Sequence, residues 1–304
     1  MKSAAGEQAI HNNGHSVTGK VIRIVRMVDE WHVDVDQPLE IIGRLKANKV
    51  KADIFSFWQR PPDTEPRFDF HCESDSIAVL KIESYDRWWK NQINAKTRNL
   101  VRKATKKGVE LKTVALDDEL VRGIAGIFNE TPIRQGKPFW HYGKSTKVVM
   151  GEMADRLDIS EFVGAYYRGD LIGFIKLIYE TDYVMMVEIL SRIGQRNLAP
   201  NNALVAKAVE RTAARDYRYL VYAKWVEGSL GRFKINNGFE KVDLPRYYVP
   251  MSLKGKIVLK LNMHKGLKSL LPPPLMQRLK TVRKRLYDLK SRAGAAAVAR
   301  ALKF

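Results

Sequence analysis

Three hydrophobic runs follow one another in the middle of the chain, at Phe162–Tyr167, Leu171–Tyr179 and Tyr183–Ile193. Each run is rich in β-branched and aromatic residues and has the length of a strand. The short polar segments between them, Arg168–Asp170 and Glu180–Asp182, have the composition of hairpin turns. The pattern predicts an antiparallel meander of three strands.

A helix and two further strands are predicted after this meander. Residues 200–216 carry apolar side chains at helical spacing, which predicts a helix of about four turns. The residues on its apolar face are Leu204, Val205, Ala208, Val209, Thr212 and Ala213. Residues 217–225 form an apolar run typical of a strand. Residues 228–242 predict a short helix, a glycine turn and another strand.

Strands and one helix are also predicted before the meander. Residues 53–60 and 68–85 have strand patterns and are separated by a turn-rich segment, 61–67. Residues 108–116 predict a strand. Residues 117–134 predict a helix with acidic residues in its first turn, where the helix dipole favours them.

The segment from Trp88 to Gly108 combines aromatic and apolar residues with a dense basic cluster, and its spacing predicts one amphipathic helix that ends at Gly108. The basic residues are Lys90, Lys96, Arg98, Arg102, Lys103, Lys106 and Lys107. Two interpretations stay open, a solvated cationic face or a face that contacts phosphate. On the second interpretation, Arg98 and Arg102 are predicted substrate-binding residues.

Composition adds a strong positive charge. The 304 residues include 53 Lys or Arg against 33 Asp or Glu, and the net charge of +20 favours anionic partners. Residues 255–304 contain thirteen of these basic residues and one acid, Asp288. Beyond three consecutive prolines, leucines at spacings of three and four predict a cationic amphipathic helix. That helix would dock on its own domain or on a second subunit, or bind an anionic membrane surface or RNA.

A single cysteine, Cys72, excludes an intrachain disulfide and a cysteine-based zinc cluster, and no metal site is predicted. The N-terminal residues lack the apolar core of a signal peptide, and no uninterrupted apolar run of about 18 residues is present. We therefore expect a cytoplasmic protein. Peripheral contact with the inner face of the membrane, through the basic tail, and the oligomeric state both stay open.

The predicted order of three strands, a helix, a strand, a short helix and a Gly-Phe strand resembles that of the GNAT superfamily of acyltransferases. The segment Ser229–Glu240, with its Phe-Lys pair and its Gly-Phe-Glu sequence, also resembles a segment of the Fem-type (FemABX) aminoacyl transferases. The basic stretch Thr97–Gly108 is similar to a helix of the same proteins. The resemblance covers roughly residues 70–250.

This resemblance implies an α/β (α+β) fold with a mixed, mostly antiparallel sheet flanked by helices. It implies four parts, which are a polar leader at residues 1–18, a small N-terminal α/β section at 19–95, a GNAT/Fem-like acyltransferase domain at 96–254 and a basic helical tail at 255–304. The implied activity is transfer of an aminoacyl or acyl group to an amine on a phosphorylated cell-envelope or polysaccharide precursor.

The implied donor is either aminoacyl-tRNA or acyl-CoA, with no tightly bound cofactor. An acyl-CoA-dependent N-acetyltransferase and a non-catalytic RNA- or membrane-surface-binding protein are the alternatives. GNAT enzymes that use acetyl-CoA bind its pyrophosphate with a glycine-containing loop. Here Ala199 and Asn201 take the glycine places and Pro200 removes a backbone donor, which weakens the acyl-CoA alternative.

Asn201 and Asn202 are expected to cap the following helix and to donate side-chain hydrogen bonds. The predicted donor-binding residues are Arg196, Asn201, Asn202, Arg232 and Asn236.

Acyl transfer to an amine needs a base and stabilisation of the developing oxyanion. The resemblance implies that Lys234 supplies positive charge near the reacting carbonyl and that the backbone around Phe233 helps to hold the oxyanion. Glu188, in the strand before the central helix, is the candidate base. The alternatives are that Lys234 is an exposed lysine, that Phe233 is a core aromatic residue and that Glu188 faces solvent.

Residues 129–144 form a long segment with loop composition and an unusual density of basic and aromatic residues. Arg134 and Lys144 are predicted to bind phosphate, Trp140 or Tyr142 to stack on a sugar or base, and His141 to carry a proton. We hypothesise that this loop forms one wall of the acceptor site. A packed surface loop with aromatic anchors is the alternative.

Overall fold

The computed structural model describes residues 14–32, 34–134 and 136–265. Twelve strands lie in this part of the chain. Their bounds are β1 (His15–Thr18), β2 (Ile24–Met27), β3 (Ile54–Trp58), β4 (His71–Lys81), β5 (Val109–Val114), β6 (Ile133–Arg134), β7 (Lys137–Pro138), β8 (Ser160–Tyr167), β9 (Asp170–Tyr179), β10 (Val184–Ser191), β11 (Tyr219–Lys224) and β12 (Glu240–Pro250).

Eight α-helices lie in the same residues, and most of them are short. They are α1 (Pro38–Ala47), α2 (Tyr85–Arg87), α3 (Ala95–Lys106), α4 (Asp118–Phe128), α5 (Thr146–Met153), α6 (Pro200–Ala213), α7 (Ser229–Asn236) and α8 (Leu253–Lys260). A π-helical turn (Trp88–Gln92) and two 3-10 turns (Leu157–Ile159 and Ile193–Leu198) complete the helical structure of the described residues.

Ten of the strands form one sheet, in the order β1-β2-β3-β12-β4-β11-β10-β9-β8-β5. Neighbours run antiparallel except for two parallel pairs, β2 with β3 and β10 with β11. The expected mixed, mostly antiparallel sheet is therefore confirmed, and so is the meander β8-β9-β10. β6 and β7 form a separate two-stranded hairpin.

Helices cover both faces of the half of the sheet that contains the meander. On β8, Phe162 packs with Ile124 of α4 and Val149 of α5, whereas the next residue, Val163, packs with Leu204 of α6 on the opposite face. Successive residues of a strand point to opposite faces, so burial on both sides requires a continuous apolar run. This requirement explains why the meander is the most hydrophobic part of the chain.

The other half of the sheet is also covered on both faces. Phe55 of β3 packs with Ile42 of α1, and the preceding residue, Ile54, packs with Val258 of α8. Neither α1 nor α8 was predicted, and only three residues of each are buried. The sheet as a whole is a continuous layer between helices.

The predicted helix from Trp88 to Gly108 is wrong in one respect, because the chain interrupts it. Ile93 is extended, and the side-chain oxygen of Asn94 accepts a hydrogen bond of 2.8 Å from the backbone N–H of Thr97. Asn94 thereby caps a new helix, α3. Gly108 adopts a φ of +85° directly after α3, so the predicted end of the helix is confirmed.

Two other boundaries also differ from the prediction. The helix predicted to reach residue 134 ends at Phe128, where Asn129 folds its amide back onto the carbonyl of Ala125 at 3.0 Å. The residues beyond it form a turn and the β6-β7 hairpin. In the expected polar leader, residues His15–Thr18 form β1.

The predicted amphipathic helix of the tail lies outside the described residues. None of the helices in the described ranges combines the length and the apolar character that a membrane span requires.

Candidate functional site

The candidate site is a separation between two parallel strands. β10 and β11 pair only at Val184 with Leu220 and at Met185 with Val221, although both strands continue beyond these positions. A bulge in β10 follows directly, because the register against β9 shifts between Met186 and Glu188. A bulge bends its strand and re-aims side chains, so it opens the sheet at this point.

Lys234 of α7 stabilises β11 in the stretch that β10 no longer pairs. Its Nζ donates hydrogen bonds to the carbonyls of Tyr222 at 2.6 Å and Lys224 at 2.7 Å. It also lies 4.3 Å from the centroid of the Tyr222 ring, a cation–π contact. The residue is only 1% exposed, and burial lowers the pKa of its ammonium group to about 8.

The structure therefore does not show the exposed lysine that was one alternative for Lys234. Two of its three N–H groups donate hydrogen bonds to carbonyls of β11, so Lys234 helps to hold this strand in position. Its predicted contact with a reacting carbonyl stays a prediction. Phe233, beside it, is half-buried and packs against the core, which agrees with the packing alternative for that residue.

Gly231 allows α7 to lie close to the chain that precedes it. A Cβ at this position would lie 2.2 Å from the carbonyl oxygen of Val226. We expect Gly231→Ala to displace α7 and to lower the free energy of unfolding by about 1–3 kcal/mol, the usual cost of overpacking. Denaturant titration measures this loss. The control is Gly151→Ala in α5, where an added Cβ meets no atom within 4 Å. This variant should have unchanged or raised stability. Equal stability of the two variants would contradict the close approach of α7.

The end of α7 is bonded to three other elements through neighbouring asparagines. The carbonyl of Asn236 accepts a hydrogen bond of 2.9 Å from the hydroxyl of Thr97 in α3. Asn237 is fully buried, and its carbonyl accepts a hydrogen bond of 3.0 Å from the indole N–H of Trp88. The amide of Asn202, in the first turn of α6, donates to the side chain of Asn237 at 3.4 Å. Asn202 and Asn236 thus help to assemble α3, α6 and α7.

Glu188 lies on β10 just after the bulge and contacts a buried histidine. Its Oε1 lies 3.0 Å from Nε2 of His141. His141 is 1% exposed, and its ring centroid lies 3.9 Å from that of Phe128 and 3.5 Å from that of Trp140. The side chain of Glu188 is only 15% exposed, so this glutamate does not face bulk solvent.

Lys144 determines which nitrogen of His141 carries the proton. Its Nζ lies 3.3 Å from Nδ1 of His141 and bonds both carboxylate oxygens of Glu152, at 2.7 and 2.8 Å. An ammonium group can only donate, so Nδ1 accepts and the neutral imidazole carries its proton on Nε2, toward Glu188. No donor within the described residues bonds Oε2, the second oxygen of Glu188.

Tyr222 connects the two separated strands electrostatically, and the sequence did not single it out. Burial raises the pKa of its phenol well above the ordinary range, and the negative charge of Glu188 raises it further. The phenol keeps its proton at neutral pH and can donate a hydrogen bond.

Arg134 and Glu130 attach the loop 129–144 to the chain that follows β10. The guanidinium of Arg134 is largely buried and donates to the carbonyls of Ile127 at 3.3 Å and Ser191 at 3.1 Å. The carboxylate of Glu130 accepts hydrogen bonds from the backbone N–H groups of Ile193, at 2.7 Å, and Gly194, at 3.2 Å. The guanidinium of Arg134 already donates to these carbonyls. Its predicted binding of phosphate would therefore require those hydrogen bonds to break.

The start of α6 differs from the expectation that Asn201 and Asn202 cap it. The helix begins at Pro200 after Ala199, which has a φ of +57°, and no side chain caps it. Both asparagines lie within its first turn, where Oδ1 of Asn201 is buried with no partner among the described residues. The capping prediction is wrong because Pro200 itself occupies the first helical position.

The remaining predicted site residues are on the surface or at its margin. Arg196, Arg232 and Arg102 are exposed, and Arg102 lies 5.4 Å from the ring of Trp89. Arg98 is half-buried and donates to the carbonyls of Trp89 and Ile93, so it closes the preceding helical turn. Two aromatic residues of the loop are well exposed, Trp140 at 69% and Tyr142 at 48%.

The exposed face of α3 and its C-cap residue carry four lysines, namely Lys96, Lys103, Lys106 and Lys107. Within the described ranges, no carboxylate forms an ion pair with any of them. An uncompensated row of cations attracts polyanions, and the attraction falls as salt increases. We call these four residues the α3 lysine face.

Comparison with known proteins reveals similarity at the level of the fold. No protein-family model matches the chain, and no curated protein matches its sequence. The structure of FemX is similar, with 10% identity and a TM-score of 0.55 over 82% of this chain and 88% of that one.

Two further structures are similar to the chain at the same level. The C-terminal domain of a proposed lysylphosphatidylglycerol synthetase from Agrobacterium fabrum is 11% identical, with a TM-score of 0.53 over 81% of this chain and 83% of that one. L-PGS from Bacillus licheniformis is 12% identical, with a TM-score of 0.51 over 82% and 85%. At such identities the likeness concerns the fold alone. The described chain therefore has the fold that FemX and these two structures share.

Proposed function

We propose that the protein is an acyltransferase that moves an aminoacyl or acyl group onto an amine at the separation between β10 and β11. The observation that carries the proposal is the Glu188–His141 pair at the bulge, in which no donor of the described residues bonds the second carboxylate oxygen. The shared fold with FemX and with the two synthetase structures supports it. The name of the Agrobacterium fabrum protein, a synthetase of lysylphosphatidylglycerol, supports an amino acid as the transferred group.

In the proposed reaction, Oε2 of Glu188 accepts a proton from the attacking amine. The amine nitrogen bonds the carbonyl carbon of the donor, and the bond from that carbon to the donor's oxygen or sulfur then breaks, so that the proton ends on the leaving group or in solvent. His141 holds the carboxylate through Oε1. The Tyr222 phenol is the candidate hydrogen-bond donor to the developing oxyanion.

Two observations favour aminoacyl-tRNA over acyl-CoA as the donor. Glu130 already occupies backbone N–H groups of Ile193 and Gly194, in the segment between β10 and α6 where an acyl-CoA pyrophosphate would bind. The α3 lysine face offers a polyanion a row of cations that no carboxylate of the described residues pairs. The acceptor we propose is an amine on a phosphorylated cell-envelope or polysaccharide precursor, met in the cytoplasm or at the inner face of the membrane.

The donor is tested by comparing charged tRNA with coenzyme A. A mixture of tRNAs charged with radiolabelled amino acids should transfer label to an amine acceptor pool prepared from cell-envelope precursors. Coenzyme A should leave the melting temperature unchanged, because it finds no free pyrophosphate loop. Acetyl transfer from acetyl-CoA, with no transfer from charged tRNA, would contradict the tRNA donor and favour the N-acetyltransferase.

A second candidate function is non-catalytic binding of RNA, and the α3 lysine face is the observation that favours it. This candidate predicts RNA binding that weakens steeply with salt and does not depend on Glu188. The same transfer assay separates the two candidates, because a binding protein releases no amino acid from charged tRNA in the presence of any acceptor.

A further inference from the structure

Three side chains with metal-binding atoms converge at the start of β4. His71 and Glu73 are two residues apart on this strand and so lie on one face of it. His264 joins them from the segment after α8. Oε1 of Glu73 lies 3.0 Å from Nε2 of His264 and 3.7 Å from Nε2 of His71. The three ligand atoms all lie within 4.8 Å of one another.

The two histidines have nitrogen atoms that the surrounding protein does not satisfy. Nε2 of His71 and Nδ1 of His264 are buried and have no hydrogen-bond partner among the described residues. The His264 side chain is 1% exposed, and its ring packs 4.5 Å from that of Tyr248. A buried nitrogen without a partner is unfavourable, and binding of an ion would remove this cost at His71.

An ion pair orients the carboxylate of Glu73 within the cluster. Lys265 bonds Oε2 of Glu73 at 2.8 Å, which leaves Oε1 directed at the histidines.

We propose that His71, Glu73 and His264 bind one divalent transition-metal ion, with Zn²⁺ as the best-fitting probe. Ligand atoms about 2.0–2.1 Å from a tetrahedral zinc lie roughly 3.3 Å apart, and the two measured separations from Glu73 lie on either side of this value. Two imidazoles and one carboxylate form a common zinc ligand set, with water in the fourth position. The single cysteine does not contribute, because Cys72 lies on the opposite face of β4.

The proposed site differs from the expectation that no metal site is present. The absence of a cysteine cluster excludes only thiolate-rich sites, whereas this site needs no thiolate. By connecting β4 to the segment after α8, the ion would hold the first part of the basic tail on the sheet. The proposal does not depend on the proposed function, because none of the three ligands takes part in the transfer chemistry.

The experiment is a competition titration of the full chain, without an affinity tag and pretreated with a chelator. Zn²⁺ is added in the presence of a chromogenic chelator, and bound metal is counted by elemental analysis. We expect one Zn²⁺ per chain and a melting temperature raised by roughly 5 °C at one hundred times the dissociation constant. Co²⁺ in the same site should show the visible absorption of a four-coordinate complex.

Variants decide whether these residues are the ligands. His264→Gln, His71→Gln and Glu73→Gln should each weaken Zn²⁺ binding by at least about 10-fold and abolish the rise in melting temperature. His32→Gln, which removes a histidine outside the cluster, should retain both. Circular dichroism checks folding, and Glu73→Gln, which keeps size and shape, is decisive if a histidine variant unfolds. Unchanged affinity in the variants, or no stoichiometric binding by the parent protein, would overturn the proposal.

Discussion

Replacement of Glu188 by Gln is expected to slow acyl transfer by about 10²- to 10⁴-fold, the usual contribution of a general base. The amide keeps the size of the side chain and a contact with His141 but cannot accept a proton from the amine. The loss should fall on kcat and leave the KM for the donor unchanged, because Glu188 acts on the acceptor. Steady-state rates with varied donor and acceptor measure this split.

The matched control for this variant is Glu110→Gln on β5, at an exposed carboxylate of the same sheet. It should change the rate by no more than about twofold, as expected of a surface substitution. His141→Asn should also reduce kcat, because Glu188 would lose the imidazole that holds Oε1. Turnover of Glu188→Gln equal to that of Glu110→Gln would exclude Glu188 as the base.

Replacement of Lys234 by Met is expected to lower the free energy of unfolding by about 2–4 kcal/mol, because two carbonyls of β11 lose a charged donor in a buried position. The displaced strand carries Tyr222, so we also expect kcat to fall by about 100-fold. Denaturant titration and transferase assays measure the two effects. Lys241→Met, at an exposed lysine of β12, is the control and should alter neither.

The pH dependence of this stability difference has a definite sign. Burial lowers the pKa of Lys234 to about 8 from an ordinary 10.5. Between these values the unfolded chain binds more protons than the folded one, so the stability of the parent protein rises with pH across this interval. The stability gap between the parent and Lys234→Met should therefore be larger at pH 9.5 than at pH 7. A gap that shrinks would show that the ammonium group is not disfavoured by burial.

The sequence predicted the central part of the fold well, for physical reasons. The strands of the meander are buried on both faces, so their apolar runs are long and continuous. The end of α3 at Gly108 was also predictable, because a φ of +85° favours glycine. By contrast, the break at Ile93 and Asn94 depends on a local cap within a segment whose helical periodicity continues through it.

The candidate site was predicted only in part. Glu188 and His141 were both proposed, but their contact joins residues far apart in the chain, and no local pattern signals it. Tyr222 was overlooked, since a tyrosine within an apolar strand cannot be distinguished from a core residue by sequence alone. The burial of Lys234 was also unexpected, because it depends on carbonyls that become available only when two strands separate.

The position of β4 has a consequence for any attempt to shorten this protein. Its eleven residues lie between β11 and β12 and pair with both, although β4 is far from these strands in the sequence. A fragment that starts at α3 would lack β4. The edges of β11 and β12 that pair with β4 would then be exposed, and exposed strand edges favour edge-to-edge aggregation. The residues of β4 are thus required to complete the sheet of the C-terminal half, and a truncation should retain them.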